Sequence, residues 1–404
     1  PAQAQSMKDT FMVRTARRLL VAAPEPLYGL VGRMRRSTRR LLRRAPRVQR
    51  VRGAGTTTGR RVSVLVAGTA STVDYLLRGI LADAAPDPAT AHSGRDQNRS
   101  AADQVPSTEI VMIPCSALPR NANVRDYWRV PDAVGFTVDL RRGDGKIASK
   151  SCKRRIRKFD LRPRVTHDIR EFHRFVEEAY LPYIRARFGE LARPHSRIHL
   201  QRCFRRGGIL WAERHGVPRA GMLFTISGGT ATIHVSAPLH DQPDAARIGA
   251  LTAARKFLFD IAIAEGCMTV DMGSARPNLL DGVLQHKKAW GARISGEGTP
   301  GSDICVRWSA FTRDIAGWLN TMPLVIREHG GLSALTAIPD DASTEEVRCH
   351  LEKLAVPGLE RIFVLGPPRS DTPAAVRDIS VCWEQPDRPE SVSAQLPRGY
   401  DRDR

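Results

Sequence analysis

No stretch of the chain approaches the roughly 18 uninterrupted apolar residues that a membrane-crossing helix needs. The longest candidate, Leu19 to Val31, is broken by Pro24, Glu25 and Pro26, so no bilayer-spanning segment is expected. Cysteine is sparse: seven in 404 residues, an odd number, far apart and with no C-x-x-C pair. Neither a disulfide framework nor a zinc ribbon is expected, and a reducing cytoplasm is the simplest setting. A G-x-S-x-G elbow, a Walker loop and an H-E-x-x-H signature are missing too, and the single Gly68 after the first strand is no dinucleotide fingerprint. Hydrolase and nucleotide-kinase readings thereby lose their footing. The first residue is Pro1 rather than Met, which leaves room for an upstream segment or a removed leader.

Acidic residues are scarce where basic ones are dense. Residues 1–61 carry sixteen Lys or Arg against Asp9 and Glu25, a net of +14 out of +21 for the whole chain. Arg33, Arg35, Arg36, Arg39, Arg40, Arg43, Arg44 and Arg47 interleave with Leu41, Leu42 and Val48. Such a stretch reads either as a solvated arm or as a basic helix lying on an anionic surface, membrane or nucleic acid.

Beyond this arm, length and pattern predict packed α/β structure. Arg61–Ala67 reads as a buried strand, followed by a helix over 71–81, a loose insertion over 84–107, and strands at 109–115 and 135–140. A basic helix follows, capped by Ser149 or Ser151, with Ile156 and Phe159 as its apolar side. Asp168 caps the clearest helix, whose Phe172, Phe175, Val176, Ala179 and Tyr180 recur at three- and four-residue steps until Pro182 ends or bends it. Strands over 208–214, 219–227 and 230–237 form an antiparallel meander. A helical pattern over 244–265 stops at Gly266, and a strand (268–272), a helix (279–290), a strand (302–308) and, near the end, a helix and strand within 341–365 complete the pattern. Residues 367–404 read as a polar tail.

The join between the meander and the helix that follows is where chemistry is expected. Free amides at a helix N-terminus, helped by the helix dipole, hold phosphate groups. Val235, Ser236, Arg247, Ile248, Gly249 and Ala250 are the candidate cofactor-binding residues. Asp271, closing the next strand, is the candidate proton acceptor, although Asp-x-Gly there also makes an ordinary Asx turn. Lys287 is the second catalytic candidate, for neutralising charge, with a solvated lysine at a helix C-terminus as the plainer alternative and Lys288 as its competitor. Arg155, Arg185, Arg187 and Trp290 are the candidate substrate-binding residues, although charge runs usually face water and tryptophan usually packs. His195, His199 and Cys203 fall at i, i+4 and i+8 and would align on a helix, but without a fourth ligand a structural face is preferred and no metal is assigned.

These residues carry a resemblance. Residues 207–294 resemble the GNAT domain of the BioF2-like and Fem-type (FemAB-like) acyltransferases. Asp271-Met-Gly273 resembles their D-x-G strand end, Lys287-Lys-Ala-Trp290-Gly291 their K-x-x-[FW]-G helix end, and the basic run over 151–158 the one they place ahead of that domain. The resemblance implies a mixed α/β (α+β) GNAT-like acyl-CoA N-acyltransferase fold, with a second GNAT-like half if the Fem-type pattern holds. It implies an acetyltransferase-type reaction moving an acyl group from acyl-CoA (acetyl-CoA) to an amine on a small-molecule or cell-envelope acceptor such as an amino sugar. The diphosphate loop departs from [RQ]-x-x-G-x-[GA], because Ala246 precedes Gly249 by three and Leu251 follows it by two. That leaves the donor open between a CoA thioester and aminoacyl-tRNA.

The expected organisation is a flexible basic arm over 1–60, an N-terminal α/β half over 61–145, the acyltransferase domain over 146–310 and an extension with tail over 311–404. The expected location is cytoplasmic, peripheral at an anionic membrane through the arm. Two alternatives stand beside this reading: an aminoacyl-tRNA-dependent peptidyltransferase whose basic segments serve tRNA, and a non-catalytic scaffold binding acidic partners.

Overall fold

The computed structural model describes residues 48–384 apart from 68–70, 83–84, 87–108, 119–121, 124–125, 143–148, 190–191, 193, 243, 297–302, 329–330 and 367–372. The basic arm up to residue 47, most of the insertion expected at 84–107 and the tail beyond 384 lie outside the described residues. The chain divides into a continuous unit, 137–273, and a discontinuous one built from 44–136 and 274–404. The contiguous halves expected from sequence are not these units.

The discontinuous unit begins with strand β1 (Val48–Ala54), placed inside the stretch expected to be a flexible arm. β1 pairs antiparallel with β2 (Arg61–Ala67) from Val48↔Ala67 to Ala54↔Arg61. The fold needs β1 because the all-apolar interior of β2, Val62, Val64 and Val66, is covered on one face by helix α1 (Ser71–Ile80) and still requires neighbours at its edges. After the short β3 (Ala85–Pro86), β4 (Ile110–Pro114) and β5 (Trp128–Val130) follow. The chain then passes into the continuous unit within strand β6 (Val134–Asp139).

In the continuous unit, helix α2 (Lys150–Lys158) is capped by Ser149, whose Oγ accepts from Cys152 N. Its buried anchor is Cys152, where sequence pointed to Ile156 and Phe159; both of those are only half-buried. Strand β7 (Leu161–Thr166) was not expected, because Pro163 and three charged or polar neighbours obscure it. It is the terminal strand of its sheet, the position where proline and charge are tolerated and guard an open edge. Helix α3 runs through Ile169–Arg174, a π-helical segment Phe175–Tyr180 and Leu181–Phe188. Pro182 therefore does not end it. The carbonyl that the missing proline N–H would have engaged, that of Glu178, accepts from His240 N instead.

Helix α4 (Arg197–Arg206), capped by Ser196, leads into the meander β8 (Gly207–Arg214), β9 (Val217–Ser227) and β10 (Thr230–Pro238). A helical turn, Ala245–Ile248, and helix α5 (Ala250–Ala264) replace the single helix expected over 244–265; Gly249, at φ +75°, breaks it. Strand β11 (Thr269–Ala275) lies between β6 and β10, and the strands of this unit run β6-β11-β10-β9-β8-β7 within a seven-stranded sheet. On one face α3 and α4 bury Phe172, Phe175, Tyr180, Leu200 and Cys203 against Ile209, Trp211, Leu223 and Val235. Gly221 is required there, since a Cβ would stand 2.6 Å from both Phe175 and Trp211.

Back in the discontinuous unit come helix α6 (Gly282–Ala289), β12 (Arg293–Ser295), β13 (Ile304–Trp308), helix α7 (Arg313–Thr321), β14 (Leu324–Glu328), β15 (Gly331–Ala337), helix α8 (Thr344–Leu354), β16 (Leu359–Leu365), β17 (Ala375–Val376) and β18 (Ile379–Glu384). β13 inserts between β4 and β5, giving the order β3-β1-β2-β4-β13-β5, and a second sheet runs β14-β15-β16-β18-β17. The stretch read as a polar tail thus contributes two strands. Trp318, Leu319 and Ile315 of α7 seal the core with α1. Where no disulfide framework was expected, Cys115 and Cys305 form a disulfide, with Cα atoms 5.3 Å apart; Cys305 lies in the β4–β13 ladder and Cys115 just past the end of β4, a pairing that spacing along the sequence could not reveal. Among the described residues no helix is long and apolar enough to cross a membrane.

Candidate active site

The site grows from a defect in the sheet. β10 and β11 run parallel but share register only through Thr230↔Thr269, Ala231↔Val270 and Thr232↔Asp271. Beyond those three pairs β10 continues to Pro238, held by β9 alone, with a bulge between Ile233 and Val235. A parallel pair that stops while both strands continue exposes backbone and side-chain edges between them.

At the far end of β10 the chain turns back through the Ala245–Ile248 turn into α5. Gly249, in the left-handed region, redirects the backbone so that α5 starts afresh, and the first amides of a helix have no partner within it. Arg155 of α2 lies directly over this point: a Cβ on Gly249 would stand 3.2 Å from Arg155 Cδ and 3.5 Å from its Nη1. The structure thus brings together the candidates Arg155, Gly249 and Ala250. Ile248 and Ala250 are themselves fully buried and serve as packing. Arg247 is exposed, one residue before the end of the short turn.

One residue that sequence reasoning missed belongs with them. Arg255 of α5 donates to Ser236 Oγ at 3.4 Å, and burial, with the nearby Arg187 charge adding to it, pulls its guanidinium down to about 10 against the opposing pull of Tyr183. Arg187 is exposed, donates to Tyr183 Oη and stacks near the Tyr183 and Phe188 rings. Ser236, Arg255 and Arg187 therefore form a second polar, cationic group towards the end of β10, whereas Val235 packs into the core on the other face. The helical spacing of Arg255, four residues after Leu251 and three before Leu258, marked an apolar face and hid this cation. Arg185 is exposed, with its carbonyl capping α3 through Gly189 N.

Asp271 makes the Asx turn: its Oδ1 accepts from Gly273 N at 2.8 Å, and Gly273 takes φ +71°. Its other oxygen makes no hydrogen bond to a described residue. Lys287, Lys288 and Trp290 belong to the discontinuous unit. Lys287 is not the solvated lysine of the plainer reading. It is 7% exposed, donates to Ser274 O at 2.8 Å and lies 5.1 Å from the Phe136 ring centroid. Lys288 donates to the carbonyls of Glu352 and Lys353, closing the C-terminus of α8, and burial chiefly, then Arg377, lowers it to about 8. Trp290 is buried and donates from Nε1 to His286 Nε2.

No family model matches the chain, and no curated protein matches it in sequence. Solved structures do. L-PGS from Bacillus licheniformis is similar at 13% identity over 67% of this chain and 87% of that one, with a TM-score of 0.32. The C-terminal domain of a putative lysylphosphatidylglycerol synthetase from Agrobacterium fabrum is similar at 10% identity over 65% and 83%, TM-score 0.30. FemX is similar at 11% identity over 64% and 83%, TM-score 0.33.

Proposed function

We propose that this chain is an acyltransferase that grips an activated acyl carrier at the N-terminus of α5 and delivers its carbonyl into the opening between β10 and β11. The observation that carries the reading is the early end of the β10–β11 pairing at Thr232↔Asp271, with Gly249 and Arg155 at the start of the neighbouring helix. The residues present fit a diphosphate-bearing carrier such as acyl-CoA. Helix-start amides and the Arg155 guanidinium supply donors and positive charge, and the glycine lets an oxygen approach the backbone. Arg255, half-buried and tied to Ser236, and the nearby Arg187 add positive potential where the carrier would leave the strand.

In this reading the acceptor amine attacks the donor carbonyl, the C–N bond forms, and the tetrahedral oxyanion collapses as the C–S bond breaks and the thiol leaves. The amine's proton passes to Asp271 through the oxygen not bound to Gly273, and from there to the departing sulfur. Positioning and pre-set dipoles supply most of the acceleration. Lys287, bound to Ser274 O, holds the backbone just beyond Gly273 and so acts as a positioning residue. The acceptor is an amine of a small molecule or cell-envelope precursor.

Titration of the full chain with acetyl-CoA, longer acyl-CoAs and free CoA tests the proposal. A 1:1 calorimetric signal and a raised melting temperature are expected. Absence of binding by every thioester, with aminoacyl-tRNA bound instead, would replace the donor; absence of both would leave a scaffold.

A further inference from the structure

Histidine and cysteine side chains from two elements of the continuous unit converge on the face of β10 opposite Ser236. His199 and Cys203 stand one turn apart on α4, with Nε2 and Sγ 3.6 Å from each other. His234 reaches the same place from the strand. Val235 already faces α4, packed in one cluster with Leu200 and Cys203, and in a regular strand the residue before it would face away. The bulge between Ile233 and Val235 removes that constraint and lets consecutive residues turn towards the helix. The donor atoms of His199, Cys203 and His234 all lie within 4.8 Å of one another, the one such convergence of three or more His, Cys, Asp or Glu among the described residues.

The donor set and its spacing suit a chelated metal ion. In a tetrahedral zinc site, Zn–N and Zn–S bonds set a nitrogen–sulfur edge of about 3.6 Å, the separation His199 and Cys203 already have. The remaining edges, none longer than 4.8 Å, are within reach of small side-chain rotations. Cys203 is fully buried and outside any disulfide, so disulfide bonding does not occupy its sulfur. Thr225 Oγ1 stands 3.0 Å from His234 Nε2, the kind of outer contact that fixes a ligand ring. Around the group stand two further cationic or ionisable residues: Arg206, whose charge reaches the His234 ring, and His195, whose ring centroid is 5.2 Å from that of His199. One thiolate and two imidazoles with no carboxylate select a borderline-soft ion over magnesium or calcium.

We propose that His199, Cys203 and His234 bind one zinc-class divalent ion, with the fourth position left to water or a small ligand. Binding displaces the Cys203 thiol proton, so one proton is released per ion bound. The site is independent of the acyl-carrier proposal, and it joins α4 to the bulged strand.

The test uses the full chain, stripped with a chelator and titrated with Co²⁺, followed by competition with Zn²⁺. A 1:1 complex with a thiolate-to-cobalt charge-transfer band and a tetrahedral visible spectrum is expected, displaced by zinc. Cys203→Ser should abolish the charge-transfer band, and His234→Asn should weaken zinc binding at least about 10-fold. Circular dichroism of each stripped variant separates lost ligation from lost folding, and the wild-type spectrum stands whether or not the variants fold. No cobalt band in the wild type, or a band that survives in folded Cys203→Ser, overturns the proposal.

Discussion

Arg155 covers Gly249, the residue that sets the start of α5. Because Arg155 is exposed on α2, Arg155→Ala should leave the melting temperature nearly unchanged while raising the dissociation constant for acetyl-CoA about 10-fold, a typical worth for a charge-assisted contact to phosphate. Gly249→Val adds a β-branched side chain at φ +75° beneath that arginine. It should cost about 2 kcal/mol of stability and remove binding. Calorimetry and thermal melts on both variants check this; equal carrier affinity in wild type and both variants would remove the site.

Asp271 has two separable roles. Asp271→Asn keeps an acceptor for Gly273 N, so the fold should melt within about 2 °C of wild type while turnover falls about 100-fold or more. Asp271→Ala loses the turn as well and should cost about 1 kcal/mol. Steady-state rates with an amine acceptor, beside melting curves, distinguish the two. Full activity in Asp271→Asn would reduce the residue to a turn former.

Legibility followed chemistry at short range. The caps Ser149 and Asp168, the meander from Gly207 to Pro238 and the stop at Gly266 are each set by neighbours within a few residues, and sequence pattern locates them. β7 eluded it because an edge strand rich in arginine has no periodic apolar face, and β1, an inner strand between β3 and β2, because its arginines continue the basic run before it. Arg155 and Gly249 were separate candidates 94 positions apart in sequence, and only folding shows that they touch. His199 and Cys203 were legible from helical spacing, whereas His234 depends on a bulge that no local pattern announces. His195 precedes the capping Ser196 and lies outside the helix that was to align it.

The discontinuous unit is pinned by Asp303, which is 3% exposed and accepts from Arg129 at 2.8 Å and Arg327 at 3.1 Å. Removing one cation from a buried carboxylate costs more than the pair is worth. Arg327→Met should destabilise by about 2 kcal/mol, measured by urea unfolding. Asp303→Asn should be milder, because it removes the buried charge together with the attraction.

His350 accepts or donates across 3.0 Å to the buried Thr336 hydroxyl, and burial chiefly, then the Lys353 charge, lowers it to about 4. A histidine held neutral in the fold takes up its proton more readily when unfolded. Its contribution is present above about pH 6.5 and drains away as pH falls towards 4. Melting scans should show about 3 kcal/mol lost through that window, and His350→Gln should flatten the slope.

The Cys115–Cys305 disulfide closes a loop of 190 residues. Reduction, or Cys305→Ala, should lower stability by about 2–4 kcal/mol. Non-reducing peptide mapping with melts in dithiothreitol checks both parts of this expectation.

That same loop has a bearing on how the chain comes into being. β4 is made long before its partner β13, and at ~5–20 residues per second the ribosome needs about 10–40 s to supply the intervening polypeptide. Throughout that interval the continuous unit can pair its own strands while β4 and β5 wait without the strand that bonds to both. Newborn chains should therefore be most in need of chaperone cover before residue 308 emerges, and truncation just short of β13 should yield aggregates even though the inserted unit is whole.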